Sequence, residues 1–218
     1  MTTTTTPTQH SFFDRICLGV DQIVRALANN PKTTGAAYPA AGVAESSLEL
    51  GQRKHAAALM RINHAGEICA QALYHGQGIV SRSPRIQQQL QQAALEEGDH
   101  LAWCGQRLNE LASHTSYLTP LWYAGSFCIG MAAGMVGDRW SLGFVAETER
   151  QVEKHLAGHL KELPAEDQRS YKILLQMKQD EAKHGAEAVA TGAADLPEGV
   201  KKLMSMTSKV MVRVAYWV

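Results

Sequence analysis

The stretches that decide the fold are Glu97-Gly98-Asp99-His100 and Glu181-Ala182-Lys183-His184, which share the pattern E-x-x-H. Residues three positions apart on an α-helix are neighbours on its surface, so the Glu and the His of each stretch can face one metal ion. A single copy is weak evidence, because a solvated helix face gives the same pattern. Two copies justify a search for further ligands.

Each E-x-x-H stretch has a lone glutamate at nearly the same distance upstream. The interval from Glu67 to Glu97 is almost equal to the interval from Glu149 to Glu181. The midpoints of these intervals, at positions 82 and 165, fall in proline-containing segments that are typical of turns. If each interval is an antiparallel helix hairpin, its lone Glu and its E-x-x-H lie at the same height. One Glu from each of two helices and Glu-x-x-His from the other two form the ligand set of ferritin-like dinuclear carboxylate proteins.

The spacing therefore predicts an all-α fold, a ferritin-like four-helix bundle with one long apolar crossover and extra terminal helices. Ser46 or Ser47 is expected to cap the first bundle helix, since a serine side chain accepts hydrogen bonds from first-turn amides. The expected helices are, in order, Ser47–Val80, Pro84–Ala112, a helix around Glu149 that stops before Pro164, a helix that follows Pro164 and ends near Gly192, and an accessory helix within Leu196–Val218.

Two regions are expected along the chain. Residues 1–45 are predicted to form a flexible N-terminal tail, a short helix and a linker, and residues 46–218 the ferritin-like helical domain with the ligand set. The tail is the Thr-rich run Met1–His10, the short helix is Ser11–Ala28, where apolar residues recur at helical spacing, and the linker is the Pro- and Gly-containing stretch Asn29–Gly42.

Charge and cysteine content exclude several classes of protein. Lys plus Arg and Asp plus Glu both number 21, so there is no electrostatic case for binding nucleic acid. The four cysteines, Cys17, Cys69, Cys104 and Cys128, show no C-x-x-C spacing, which indicates a reducing compartment and argues against a thiolate zinc site. The N-terminus lacks the basic and apolar regions of a secretory signal.

The connection between the two hairpins, Thr115–Gly137, carries no charged residue along its whole length. It is long enough to cross a bilayer, but Pro120 and four glycines interrupt it, and a span would separate the two halves of the ligand set. We interpret it as a crossover whose apolar face lies on a membrane or covers a channel for an apolar substrate; an ordinary buried segment is the alternative. Val210–Val218 is a second candidate apolar contact, with core packing as its alternative.

The predicted ligand set favours particular metals. Four carboxylates and two imidazoles suit two iron or manganese ions better than the thiol-rich sites of softer metals. Two divalent cations would also neutralise the four carboxylates, so the set can be buried. Spacing alone leaves the third ligand segment open, because Glu147 and Glu153 fit nearly as well as Glu149.

Several other side chains lie close to the predicted ligands along the chain. His64, His155 and His159 are candidates to orient a ligand, with solvent exposure as the alternative for the last two. Tyr74 follows Glu67 by about two helical turns on nearly the same helix face and can line the site or pack in the core. Asp99 and Asp180 are expected to face solvent or a neighbouring helix.

The chain resembles the demethoxyubiquinone hydroxylases, the di-iron monooxygenases of ubiquinone biosynthesis. The resemblance extends from about Ser47 to the C-terminus and rests on Arg61-Ile62-Asn63-His64-Ala65-Gly66-Glu67, Leu95-Glu96-Glu97-Gly98-Asp99-His100, Val145-Ala146-Glu147-Thr148-Glu149 and Asp180-Glu181-Ala182-Lys183-His184. It implies that two iron ions bind to Glu67, Glu97, His100, Glu149, Glu181 and His184. The family pattern thus selects Glu149, which spacing merely permits.

The resemblance also implies an activity. The expected enzyme is a di-iron monooxygenase that hydroxylates the ring of a polyprenylated demethoxy-benzoquinol with O2. The sequence contains no G-x-G-x-x-G motif, which would indicate a built-in nicotinamide or flavin domain. NADH or a reductase must therefore supply electrons. Peripheral association with the cytoplasmic face of the cell membrane, and contact with other ubiquinone-biosynthesis proteins, are further expectations.

Three rival functions share parts of this pattern. An iron-storage bundle would need the same ligands but no apolar crossover, and a ferritin-like peroxidase would consume hydrogen peroxide and ignore quinols. A structural membrane-associated bundle with solvated acidic residues would bind no metal.

Overall fold

The computed structural model describes Asp21, Val24, Arg25, Ala28 and residues 30–218. The predicted tail Met1–His10 and the rest of the predicted helix Ser11–Ala28 lie outside the described residues. The domain division after residue 45 stays a prediction.

Six helices make up most of the described chain, which contains no strand between residues 30 and 218. In chain order they are α1 (Leu50–Val80), α2 (Pro84–Glu110), α3 (Thr119–Val136), α4 (Asp138–Glu162), α5 (Gln168–Ala190) and α6 (Glu198–Ala215). Helices α1 and α2 pack as one hairpin and α4 and α5 as the other; α2 also contacts α5, and α1 contacts α4. The all-α, ferritin-like bundle is therefore confirmed.

Both hairpins bend where the ligand spacing placed their turns, at residues 81–83 and 163–167. Glu67 lies as far before the end of α1 at Val80 as Glu97 lies after the start of α2 at Pro84. The second hairpin repeats this symmetry, because Glu149 and Glu181 are equally distant from the end of α4 and the start of α5. The four glutamates therefore reach one level of the bundle.

Apolar clusters lie on both sides of this level. One contains Leu59, Leu108, Leu156, Ile173 and other residues from the α4–α5 end, and a second contains Tyr74, Ile86, Leu90 and Leu142 from the α1–α2 end. The two turns thus lie at opposite ends of the bundle. The level that contains the four glutamates, which we call the polar level, is enclosed by packed apolar side chains. An unpaired charge in such surroundings costs free energy.

Two helix ends differ from those expected. Helix α1 is capped by Glu49, whose amide donates to Gln52 Oε1 at 3.0 Å, so the predicted cap at Ser46 or Ser47 is wrong. Helix α2 ends at Glu110 because Ala112 has a left-handed backbone with φ of 54°, and the amide of Ser113 turns back to Leu108 O.

The crossover contains α3, an unbroken helix packed along α1. The glycines inside it do not interrupt it, contrary to the sequence prediction. Gly130 instead permits close packing, since a Cβ there would lie 2.9 Å from Leu73 C. The side of α3 away from α1 exposes Leu121, Ile129, Met135 and Val136. None of the described helices combines the length and the apolar character needed to cross a membrane.

Candidate metal centre

The structure brings the six predicted ligands together in the polar level of the bundle. Their donor atoms form two groups, and the atoms of each group lie within 4.8 Å of one another. The first group is Glu67, Glu97, His100 and Glu181, and the second is Glu97, Glu149, Glu181 and His184. All six side chains are buried. Glu97 and Glu181 belong to both groups, so each can bridge two metal positions.

The Nδ1 atom of each imidazole faces these carboxylates. His100 Nδ1 lies 3.2 Å from Glu97 Oε2 and 3.2 Å from Glu181 Oε1, with Glu67 Oε2 at 3.7 Å. His184 Nδ1 lies 3.5 Å from Glu97 Oε1 and 3.6 Å from Glu181 Oε2. The two halves of the centre therefore have nearly equivalent geometry around the shared glutamates.

Many oxygen and nitrogen atoms of this cluster that could bind metal lack hydrogen-bond partners. Glu67 Oε2, Glu97 Oε1, His184 Nδ1 and both carboxylate oxygens of Glu149 and Glu181 are buried and unpaired. A buried carboxylate oxygen with no donor costs free energy unless a cation compensates it. Oxygen and imidazole donors of this kind suit divalent iron or manganese. The buried cluster can therefore hold metal.

The pKa values divide the glutamates into two kinds. Burial, reinforced by the charges of the shared glutamates, raises the pKa of Glu67 well above its usual range, and burial and Glu181 do the same to Glu149. Burial, and for Glu181 also the charge of Glu97, opposes ionisation of Glu97 and Glu181. The imidazoles of His100 and His184, whose Nδ1 atoms lie 3.2–3.6 Å from these carboxylates, outweigh this effect and lower both pKa values. Metal ligands must be deprotonated, so metal binding displaces the protons that this crowding retains.

The outer nitrogen of each histidine contacts an acidic residue on the other hairpin. His100 Nε2 lies 3.2 Å from Asp180 Oδ2, and His184 Nε2 lies 2.7 Å from Glu96 Oε2. Because an imidazole that uses Nδ1 for a metal carries its proton on Nε2, these contacts fix the ring orientation and the tautomer. Asp180 thus faces a neighbouring helix, as expected.

Sequence reasoning missed the role of Glu96. A signal was present, because an acidic residue directly precedes both E-x-x-H stretches. The pairing crosses between the hairpins, so neither motif alone reveals it.

The other candidate residues lie around the centre rather than in it. His64 is buried with Nδ1 unpaired, and no carboxylate of the described residues lies within ion-pair distance of it. Tyr74 packs in the apolar cluster at the α1–α2 end, so its core-packing alternative is confirmed. His159 Nδ1 lies 2.9 Å from Asn63 Oδ1, and burial lowers the pKa values of both His155 and His159, the latter to about 4.

An apolar cavity of about 450 Å³ reaches the centre between α1, α3, α4 and α6. Glu67 is in its wall, so the cavity ends at a predicted metal ligand. Its apolar lining includes Ile62, Leu73, Trp122, Phe144, Leu203 and Met211. Its polar lining includes Asn63, Gln151, His155 and His159. The cavity can hold a largely apolar ligand with a few polar groups near the metal centre.

Comparison with known proteins identifies the family. The family model described as "Ubiquinone biosynthesis protein COQ7" matches residues 54–215. The chain is 51% identical to the 3-demethoxyubiquinol 3-hydroxylase of Nitrosococcus oceani over 208 residues, which cover 95% of this chain and 97% of the relative. It is 53% identical to the protein of that name from Polynucleobacter necessarius subsp. necessarius over 203 residues, covering 93% and 97%, respectively. The resemblance drawn from the four ligand segments is thus confirmed, and the chain belongs to the COQ7 family of ubiquinone biosynthesis proteins.

Proposed function

We propose that this chain is a di-iron monooxygenase that hydroxylates the ring of a polyprenylated demethoxy-benzoquinol with O2. Membership of a family whose curated relatives are 3-demethoxyubiquinol 3-hydroxylases supports the reaction. The observation that carries the assignment is that Glu67 both belongs to the buried metal-ligand cluster and lines the apolar cavity. A ring at the inner end of the cavity would therefore lie next to the metal centre.

The six-residue cluster would hold two iron ions, with Glu97 and Glu181 shared between them. Iron bound there would supply the redox electrons and the open coordination positions that reaction with O2 requires. Glu67 and His100 would complete one position, and Glu149 and His184 the other. Glu96 and Asp180 hold the two histidine rings in the required orientation.

The cavity would orient the quinol by its two kinds of lining. Its apolar side chains on α3 and α6 suit a prenyl tail, and Asn63, His155 and His159 offer hydrogen-bonding groups to a hydroxyl-bearing ring. The amide nitrogen of Asn63 donates to Leu59 O at 3.0 Å, so Asn63 Oδ1 accepts from His159 Nδ1–H. A neutral His159 in this tautomer keeps Nε2 as an acceptor. Electrons come from NADH or a reductase.

We also propose a peripheral position on the cytoplasmic face of the cell membrane. Exposed side chains support the contact with a membrane surface. Helices α3 and α6, which border the cavity, expose large apolar residues that include Met135, Val136, Met206 and Val210. Helix α6 also exposes Lys202, Lys209 and Arg213, which can contact anionic headgroups. A lipid substrate could then enter the cavity without crossing water. Contact with other ubiquinone-biosynthesis proteins stays a prediction.

Lipid analysis of cells tests the reaction. Cells whose only copy carries Glu149→Ala should accumulate a ubiquinone precursor that lacks one ring oxygen. Glu153→Ala is the matched control, because Glu153 lies on the same helix with its side chain 39% exposed and should leave the quinone profile unchanged. An unchanged profile in the Glu149 variant would contradict the proposal. Consumption of peroxide, or oxidation of iron without loss of quinol, by the purified protein would favour the peroxidase or storage alternatives.

Vesicle co-sedimentation tests the membrane position. With vesicles of phosphatidylethanolamine and phosphatidylglycerol, Val136→Glu and Met206→Glu should each reduce the bound fraction several-fold. Val189→Glu serves as control, because Val189 is 63% exposed on α5. Equal binding of all three variants would refute the assignment of this face.

A further inference from the structure

The two residues between the ligands of the first E-x-x-H contact another part of the chain. Asp99 is 4% exposed, and Gly98 is also buried. The corresponding residues of the second motif, Ala182 and Lys183, are exposed. The expectation that Asp99 faces solvent or a neighbouring helix is therefore wrong. The two motifs have similar ligand geometry but different surroundings.

Asp99 binds the segment Pro31–Ala36, which we call the strap. Its Oδ1 accepts from Gly35 N at 3.2 Å and from Ala36 N at 3.3 Å. Its Oδ2 accepts from Thr34 N at 3.3 Å and from Thr34 Oγ1. Both carboxylate oxygens are thus used to hold the strap, and Asp99 makes no ion pair with a described residue.

Gly98 lets the strap lie directly on α2. A Cβ at Gly98 would collide with Lys32 O and would come within 2.9 Å of Lys32 C. These are backbone atoms, so a side-chain rotation cannot relieve the collision. Any side chain at this position must therefore move the strap.

The strap covers the seam between α1 and α2. Pro31 and Lys32 enclose, with residues of both helices, a space of only about 10 Å³, about the volume that one water molecule requires. The helix residues around this space are Gln71, His75, Gln91, Ala94 and Leu95. Beneath it, Gln71 Nε2 donates to Ala94 O at 3.0 Å across the seam.

This covered side lies away from the apolar cavity. Gln71 and Leu73 are two positions apart on α1 and therefore point in nearly opposite directions, and Leu73 lines the cavity. The nearby ligands Glu97 and His100 are 0% and 1% exposed. The bundle level that holds the ligands thus has an apolar approach on one side and a strap on the other.

We propose that Asp99 is a positioning residue whose strap shields the half of the centre formed by Glu67 and His100 from water. The proposal rests on the proposed function in one respect, namely that these residues hold iron. The strap closes the α1–α2 seam beside Gln71 and Ala94, where a space of only about 10 Å³ lies beneath it. Water exclusion also strengthens the electrostatic interactions between ligands and metal.

Iron removal from the full-length, iron-loaded protein tests the proposal. The probe is a sulfonated, water-soluble iron(II) chelator, and the readout is the rate at which each of the two iron equivalents is removed. Asp99→Ala and Gly98→Ala should accelerate removal of one equivalent by about tenfold or more and leave the other near the wild-type rate, because only one half lies under the strap. Asp99→Asn retains one acceptor oxygen and should be intermediate.

Matched variants separate the strap from a general loss of structure. Thr34→Val removes a strap donor outside the bundle and should also accelerate removal, whereas Thr33→Val, at an exposed neighbour, should not. Gly105→Ala is the control for Gly98→Ala, since a Cβ at Gly105 meets nothing within 4 Å. Trypsin cleavage after Lys32 reports release of the strap.

The outcomes distinguish this proposal from the proposed function. If the strap variants become sensitive to trypsin at Lys32 while both iron equivalents leave at wild-type rates, the shielding role is wrong. Equal acceleration of both equivalents would also overturn it, because the effect would then not be confined to the covered half. A wild-type protein that binds no iron would instead overturn the proposed function.

Discussion

His184 on α5 lies 2.7 Å from Glu96 on α2, measured from Nε2 to Oε2, and the acid directly precedes the first E-x-x-H. The relationship is reciprocal, because His100 on α2 contacts Asp180, which directly precedes the second E-x-x-H. Each hairpin thus supplies the carboxylate that orients the histidine of the other. Correct docking of the hairpins is required before either histidine is fixed.

Replacing Glu96 should weaken metal binding without removing a ligand. In Glu96→Gln the carboxylate that accepts from His184 Nε2–H becomes a neutral amide, and such changes typically reduce metal affinity by about 10- to 100-fold. Competition with a chelator of known affinity measures the change. Glu187→Gln is the control, because the Glu187 side chain is 52% exposed and, among the described residues, forms an ion pair with Lys183 alone. Equal affinities of the two variants would contradict an orienting role for Glu96.

Replacing a glutamate that belongs to both ligand groups should lower the metal stoichiometry more than replacing Glu67 or Glu149, each of which belongs to one group. Glu97→Ala removes a donor from both groups and should lower bound iron from two equivalents to nearly none. Glu67→Ala removes a donor from one group only and should leave about one equivalent at the other, which keeps all four of its protein ligands. Elemental analysis gives the stoichiometry, and circular dichroism checks that the helices persist. Similar losses in both variants would refute a bridging role for Glu97.

The close packing of α3 on α1 should depend on Gly130. In Gly130→Ala the new methyl group meets backbone atoms of Leu73, so overpacking should lower the free energy of unfolding by about 1–3 kcal/mol. Gly125→Ala is the control on the same helix, because its Cβ meets nothing within 4 Å. That variant should be neutral or stabilising by up to about 1 kcal/mol, since alanine favours helix over glycine. Urea denaturation measures both, and equal stabilities would contradict the packing argument.

An ion network at the end of α2 should make stability depend on acid pH. Burial by itself raises the pKa of Glu110, but hydrogen bonds from Arg169 and Arg107 outweigh it and lower the pKa to about 2, from a usual value of 4.5. Because the folded-state pKa is depressed, the stabilisation is present above about pH 4.5 and is lost as the pH falls towards 2.

The difference between wild type and Glu110→Gln isolates this contribution. Urea unfolding at pH values from 6 to about 2.5 should show a stability advantage of the wild type that shrinks as the pH falls. A constant difference across this range would show that Glu110 is not held ionised by the two arginines.

Much of the fold could be read from regular spacing along the chain. Helical periodicity and the nearly equal distances from Glu67 to Glu97 and from Glu149 to Glu181 placed both turns correctly, because helix rise fixes height in a hairpin. The formation of α3 as one unbroken helix packed along α1 could not be predicted in this way. Its glycines resemble helix interruptions in sequence, yet Gly130 permits packing against Leu73, a contact between residues far apart in the chain.

The sequence by itself determined the two hairpins and, through the four ligand segments, the family, and with the family resemblance it predicted the ligand set. These features depend on local spacing, which the chain carries without reference to its partners. Only the tertiary structure decided that Glu97 and Glu181 are shared, that Glu96 and Asp180 orient the histidines, and that Asp99 holds the strap. Each of these roles depends on which side chain meets which across separate helices or loops, and that is set by the packing of the whole bundle.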